Sequence, residues 1–187
     1  MLKAPGHAKR GRLNYMRTRN KSTLFTGLVV NIEQMEVMVG EKGWHVFQIV
    51  RHPGGVGVLP LHPDGSVTLI RQLRPAVGAI MLELPAGRLD AGEEPARCGL
   101  RELTEETGLV AGRLENLGII QPSPGVFDEV VHLFLATELS QGEADPEHYE
   151  DIETVRIPLK QAVQMALDGE INDGKTALAL LRAAGRV

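Results

Sequence analysis

The chain has 187 residues, 43% of them hydrophobic, and carries 20 Lys plus Arg against 24 Asp plus Glu for a formal net charge of -4. That size suits one globular domain with a substantial core, and a lone cysteine, Cys98, excludes an internal disulfide framework and a cysteine-rich zinc site. No apolar stretch approaches the roughly 20 residues needed to cross a bilayer, so the counts describe a soluble, cytoplasmic protein without a membrane partner.

The small net charge hides an asymmetry. Residues 1–21 hold seven basic side chains and no acid, which leaves 13 basic and 24 acidic side chains in the other 166 residues, a net of -11. The start lacks the apolar segment of a secretory signal. A nucleic-acid arm or a transit peptide would share its composition, but a solvated, poorly ordered tail over 1–21 is the expectation. Met16 offers a second start, with 1–15 as an upstream extension. The acidic remainder argues against nucleic acid as a partner, because phosphate backbones demand a positive face.

In chain order, residues 24–39 read as extended, with 40–43 as a turn, and strands follow at Trp44–Arg51 and 56–61 across the breaker run 52–55. These first strands form a segment over 22–55, ahead of a main domain at 56–187. Pro63-Asp64-Gly65 is a hairpin turn between 56–61 and further strands at 67–73 and 80–84. Residues 85–94 read as a loop. Pro95–Thr107 reads as a helix, with Pro95 in its first turn and Gly108 suited to the left-handed position past its end. Strands at 114–121 and 130–139 flank a Pro-Ser-Pro-Gly loop. After an acidic loop come a strand at 152–157 and helices at Leu159–Leu167 and 175–184. The order predicts an α/β fold, a sheet covered by helices on both faces.

The segment 87–109 carries the chemistry: GRLDAGEEPARCGLRELTEETGL. Helical spacing brings Glu102, Glu105 and Glu106 close to one face, an arrangement that is costly unless a cation sits among them. Clustered oxygen ligands without Cys or His favour magnesium, or manganese, over zinc. Arg101, four residues before Glu105, is placed to pair with it, and Leu100 and Leu103 are expected to face the core. A solvated acidic helix face is the competing reading. The six histidines share no metal-ligand spacing, and His148 alone has a plausible site role. Cys98 reads as a packed small residue. No serine nucleophile elbow or phosphate loop is present.

Gly87, Glu93, Arg101-Glu102-Leu103, Glu105-Glu106 and Gly108-Leu109 match the Nudix box, GX5EX7REUXEEXGU, at every fixed position. The chain therefore resembles the Nudix hydrolase family. The resemblance implies a Nudix-type α/β/α sandwich with a mixed sheet, and magnesium-dependent hydrolysis of a nucleoside diphosphate linked to another group. His52-Pro53-Gly54, Arg71-Gln72-Leu73-Arg74-Pro75, Leu84-Pro85-Ala86-Gly87, Pro124 sixteen residues after Gly108, and Ile171-Asn172-Asp173-Gly174-Lys175-Thr176 resemble the ADP-ribose pyrophosphatase branch. Relatives acting on GDP-mannose or other nucleotide sugars share most of these outer motifs.

What the resemblance implies is specific. The metal ligands are the Ala86 carbonyl, Glu102 and Glu106, with Glu105 joining directly or through water. Glu93 organises the loop through Arg101. The general base comes from the loop 147–151, with Glu150 favoured and Glu147 second. Arg74 lies near the diphosphate. Trp44 stacks on the adenine, or is an ordinary core or dimer-interface residue. Arg51 assists from the same region, and Ser123 touches the terminal ribose. A homodimer with exchanged N-terminal strands is expected. A non-catalytic nucleotide-binding module on the same fold is the rival from another class.

Overall fold

The structure, a computed structural model, describes residues 16–146 and 151–186. The chain divides between Arg51 and His52 into two compact units. The first holds an antiparallel sheet of β1 (Thr18–Thr26), β2 (Asn31–Met38) and β3 (Trp44–Arg51), in the order β1-β2-β3. The expected extended run 24–39 is thus parts of two strands, turned by a bond from the Gly27 N–H to the Val30 carbonyl. Residues 18–21, placed by composition in a disordered tail, belong to β1 instead. Their cations find partners across the ladder, Arg19 on Glu36 at 2.6 Å and Lys21 on Glu33 at 2.8 Å. Composition detects a charge run but not the opposite strand that pairs with it.

The second unit contains β4 (Gly55–Pro60), β5 (Ser66–Arg74), β6 (Ala79–Glu83), β7 (Ala86–Arg88), α1 (Pro95–Thr107), β8 (Leu109–Ile120), β9 (Val131–Gln141), β10 (Ile152–Pro158), α2 (Leu159–Leu167) and α3 (Gly174–Ala184). One sheet has the order β7-β4-β9-β8, with β4 and β9 parallel and the outer pairs antiparallel; the other is antiparallel β10-β5-β6. All six residues of β4 are buried, as expected of a strand covered on both faces. Its alternate side chains go opposite ways. Val56 and Val58 join Phe134 and Ala136 of β9 against Cys98 and Leu103 of α1. Leu59, with Leu133 and Leu135, packs into the second cluster with Ala162 of α2 and Leu180 of α3. This is the α/β/α sandwich with a mixed sheet.

Three local differences from expectation have simple causes. Leu100 does not face the core and is 39% exposed. The buried residues of α1 are Cys98, Gly99, Leu103 and Glu106, and a helix turns Leu100 about 100° away from Gly99. Strand β8 begins at Leu109, immediately after the αL residue Gly108, rather than at 114. Inside the expected loop 85–94, Ala86–Arg88 adds an edge strand to β4. No helix among the described residues is long and apolar enough to cross a membrane.

Candidate active site

Two elements build the centre of the site, edge strand β7 and helix α1. The Glu102 carboxylate lies flat against the Gly87 backbone: a Cβ there would come within 1.9 Å of its carboxyl carbon. Glycine at 87 is what lets Glu102 approach the strand. Glu106 is 4% exposed, and its carboxylate accepts the Ala86 N–H at 2.8 Å. Arg101 gathers the remaining carboxylates. Its Nε and Nη2 donate to Glu93, both at 3.2 Å, and its Nη1 lies 2.8 Å from Glu102 and 2.9 Å from Glu105. The Arg101 hydrogen bonds, with one from the Asp90 N–H, hold the Glu93 carboxyl down to about 2, and Glu93 in turn raises Arg101. Burial pushes the Cys98 thiol up to about 12, so it stays protonated and packed within the core.

Among the described residues, no three His, Cys, Asp or Glu side chains are gathered at metal-ligand distance. The donor chemistry still fits a hard cation. Glu102, Glu105, Glu106 and the Ala86 carbonyl present only oxygen, with neither sulfur nor imidazole among them.

Beside this centre opens a cavity of about 500 Å³. Ala86, Gly87, His52 and Glu129 line it, and Arg74, Arg88 and Lys175 are its cationic lining residues. Arg74 is anchored by Glu83, which accepts from its Nε and its Nη2, each at 2.8 Å, and Lys175 pairs with the same carboxylate. These hydrogen bonds raise the Arg74 pKa. Burial alone would raise the Glu83 carboxyl, but the two cations outweigh it and hold it low. The His52 ring lies 3.3 Å from Glu129 through Nδ1, which also accepts the Gly54 N–H.

The sequence-predicted residues distribute unevenly around these features. Ala86, Glu102, Glu105 and Glu106 come together at the β7–α1 junction, and Arg74 lines the cavity. Ser123 is exposed in the loop after β8, its carbonyl accepting from the Val126 and Phe127 N–H groups, one residue from the cavity-lining Pro122. Trp44 and Arg51 belong to the first unit. There Arg19 stacks over the Trp44 ring at 4.2 Å, with Arg17 at 5.6 Å, and Arg51 donates to Glu33 at 2.7 Å. Glu147, His148 and Glu150 lie outside the described residues. Sequence reasoning passed over Glu83, Lys175, His52 and Glu129. Lys175 and His52 sit within motifs already noted, whereas Glu83 had only the signal of one acid inside an apolar strand.

A model of the NUDIX domain matches residues 51–180. The chain is 38% identical over 168 residues to an ADP-ribose pyrophosphatase of Bacillus subtilis, covering 88% of this chain and 90% of that one. It is 39% identical over 127 residues to a GDP-mannose pyrophosphatase of Klebsiella pneumoniae, covering 62% of each. A crystal structure of an ADP compounds hydrolase shares the fold with a TM-score of 0.80 at 22% identity, covering 91% of this chain and 93% of that one. The box residues meet at one junction beside an open cavity, and the match spans the whole second unit but a few C-terminal residues: the chain belongs to the Nudix family and is one of its hydrolases.

Proposed function

We propose that the protein hydrolyses the diphosphate bond of ADP-ribose to AMP and ribose 5-phosphate with magnesium as its cofactor. The observation that carries this reading is that Ala86, Glu102, Glu105 and Glu106, which offer only oxygen donors to a cation, meet at the β7–α1 junction beside a cavity lined by Arg74 and Lys175. A diphosphate resists water because its oxygens repel a nucleophile. A divalent cation held by the Ala86 carbonyl, Glu102, Glu106 and Glu105 would supply neutralising charge there and a more acidic water. Arg74 binds and orients the diphosphate oxygens, and Glu93 with Arg101 keeps the carboxylates in place. Glu150, with Glu147 as the alternative, takes the proton of the attacking water. Trp44, Arg51 and Ser123 are assigned to the adenine and ribose ends of the substrate, and the working form is a homodimer.

The similarity to the Bacillus subtilis enzyme over 90% of its length favours ADP-ribose. The similarity to a GDP-mannose pyrophosphatase over 62% of its length makes other nucleoside diphosphate sugars the second reading. Purified protein with magnesium, assayed against ADP-ribose, GDP-mannose and UDP-glucose, separates them. ADP-ribose is expected to give the highest kcat/KM, with AMP as a product, and absence of ADP-ribose turnover would overturn the choice. In the same assay Glu106→Gln and Glu150→Gln should each lower kcat by about 100-fold or more. A non-catalytic binding module would show no turnover to lose. Near-normal activity of Glu150→Gln would transfer the base to Glu147.

A further inference from the structure

Glu83 is among the most deeply buried ionisable groups described, 1% exposed, and it lies outside the Nudix box and does not line the cavity. Both of its carboxylate oxygens are engaged. Oε1 accepts from Arg74 Nε, while Oε2 accepts from Arg74 Nη2 and from Lys175 Nζ. Both cations do line the cavity, Arg74 from the end of β5 and Lys175 from the first turn of α3. The same junction is tied a second time, since the Thr176 hydroxyl accepts the Leu84 N–H at 2.9 Å. Asp173 holds Lys175 from the other side at 3.0 Å and caps α3 through the Thr176 N–H.

Burying a carboxylate this deeply is costly, and an apolar residue on β6 would pack without that cost. What the carboxylate provides is geometry. A bidentate grip fixes the plane of a guanidinium, which otherwise loses rotamer freedom each time it takes hold of an anion. A single oxygen shared with Lys175 sets the distance between the two cations. We infer that Glu83 is a positioning residue that presents Arg74 and Lys175 to the cavity as one preorganised clamp for a diphosphate, with Lys175 a second anion-contacting group beside Arg74. This deepens the proposed hydrolysis and rests on that reading for its substrate, but the clamp itself concerns only the diphosphate.

The test is calorimetric binding of inorganic pyrophosphate to the full chain in magnesium buffer. Glu83→Gln keeps the volume but loses the charge and one acceptor, and is expected to raise the pyrophosphate Kd about tenfold, the scale of one charge-assisted hydrogen bond. In an R74A/K175A background the same substitution should change Kd less than about twofold, because Glu83 acts only through those two side chains. A merely structural role would weaken binding equally in both backgrounds, and that result, or no pyrophosphate binding by the wild type, would overturn the clamp. Should Glu83→Gln fail to fold, Glu83→Asp keeps the charge while drawing both cations back by a methylene. Its expected outcome is a folded protein with Kd raised several-fold, and wild-type affinity would count against the clamp. A wild type that binds pyrophosphate with this Glu83 dependence but does not turn over ADP-ribose keeps the clamp and sinks only the substrate. Normal ADP-ribose turnover with pyrophosphate binding indifferent to Glu83 does the reverse.

Discussion

Glu93 and Arg101 stand eight positions apart, on a loop and a helix, yet the loop turns back so that one guanidinium meets both carboxylate oxygens at 3.2 Å. This pair has a pH signature. The Glu93 carboxyl is held at about 2, below its ordinary value of 4.5, so the folded state favours the ionised form. Its contribution to stability is therefore complete above about pH 4.5 and is lost as pH falls toward about 2. The gap in Tm between wild type and Glu93→Gln should accordingly be level near neutral pH and close below about pH 4.5; a gap that widened on acidification would contradict the pairing. At this scale the sequence was informative where chemistry follows spacing. Arg101 and Glu105 are four apart on a helix and do pair, at 2.9 Å. It was silent where partners come from distant segments, as for Glu83 and Lys175, 92 positions apart, or His52 and Glu129.

At the scale of elements, α1 was readable end to end because its boundaries are covalent facts: Pro95 supplies a preset φ and Gly108 adopts φ 71°, donating its N–H to the Thr104 carbonyl at 2.8 Å. A Cβ at Gly108 would sit 2.9 Å from the Gln141 side chain and 3.2 Å from the Gly142 carbonyl. Gly108→Ala is thus both conformationally strained and crowded. It should cost roughly 1 kcal/mol or more, read as a lower urea midpoint with unchanged slope. An unchanged midpoint would show that the left-handed cap adds nothing. Strand β7 escaped prediction because three residues, two of them Ala and Gly, carry no periodicity; it exists because β4 offers it an edge. The start of strand β1, residues 18–21, escaped for a related reason, since all nine residues of the strand are exposed and no apolar alternation announces where it begins.

For the whole molecule, the net charge of -4 resolves into local pairings as much as a cationic start and an acidic body. Arg19 and Lys21 of that start are neutralised by Glu36 and Glu33 of β2, and part of the acidic excess forms the carboxylate cluster on α1. The three-stranded sheet leaves Phe25 54%, Val46 61% and Phe47 42% exposed, which supports its assignment to pairing of two copies. Light scattering should give twice the 20.3 kDa chain mass, and Val46→Glu should shift the population toward monomer; a monomeric wild type would remove the dimer. By itself the sequence determined the fold class, the boundaries of α1 and the pairing of Arg101 with Glu105, because these follow from periodicity, helix punctuation and fixed spacing within one segment. Only the tertiary structure decided which cations meet Glu83, how Gly87 admits Glu102 and where the cavity opens. Those depend on side chains from separate strands and helices being brought within hydrogen-bond reach, a proximity that packing of the sandwich creates and that no local pattern encodes.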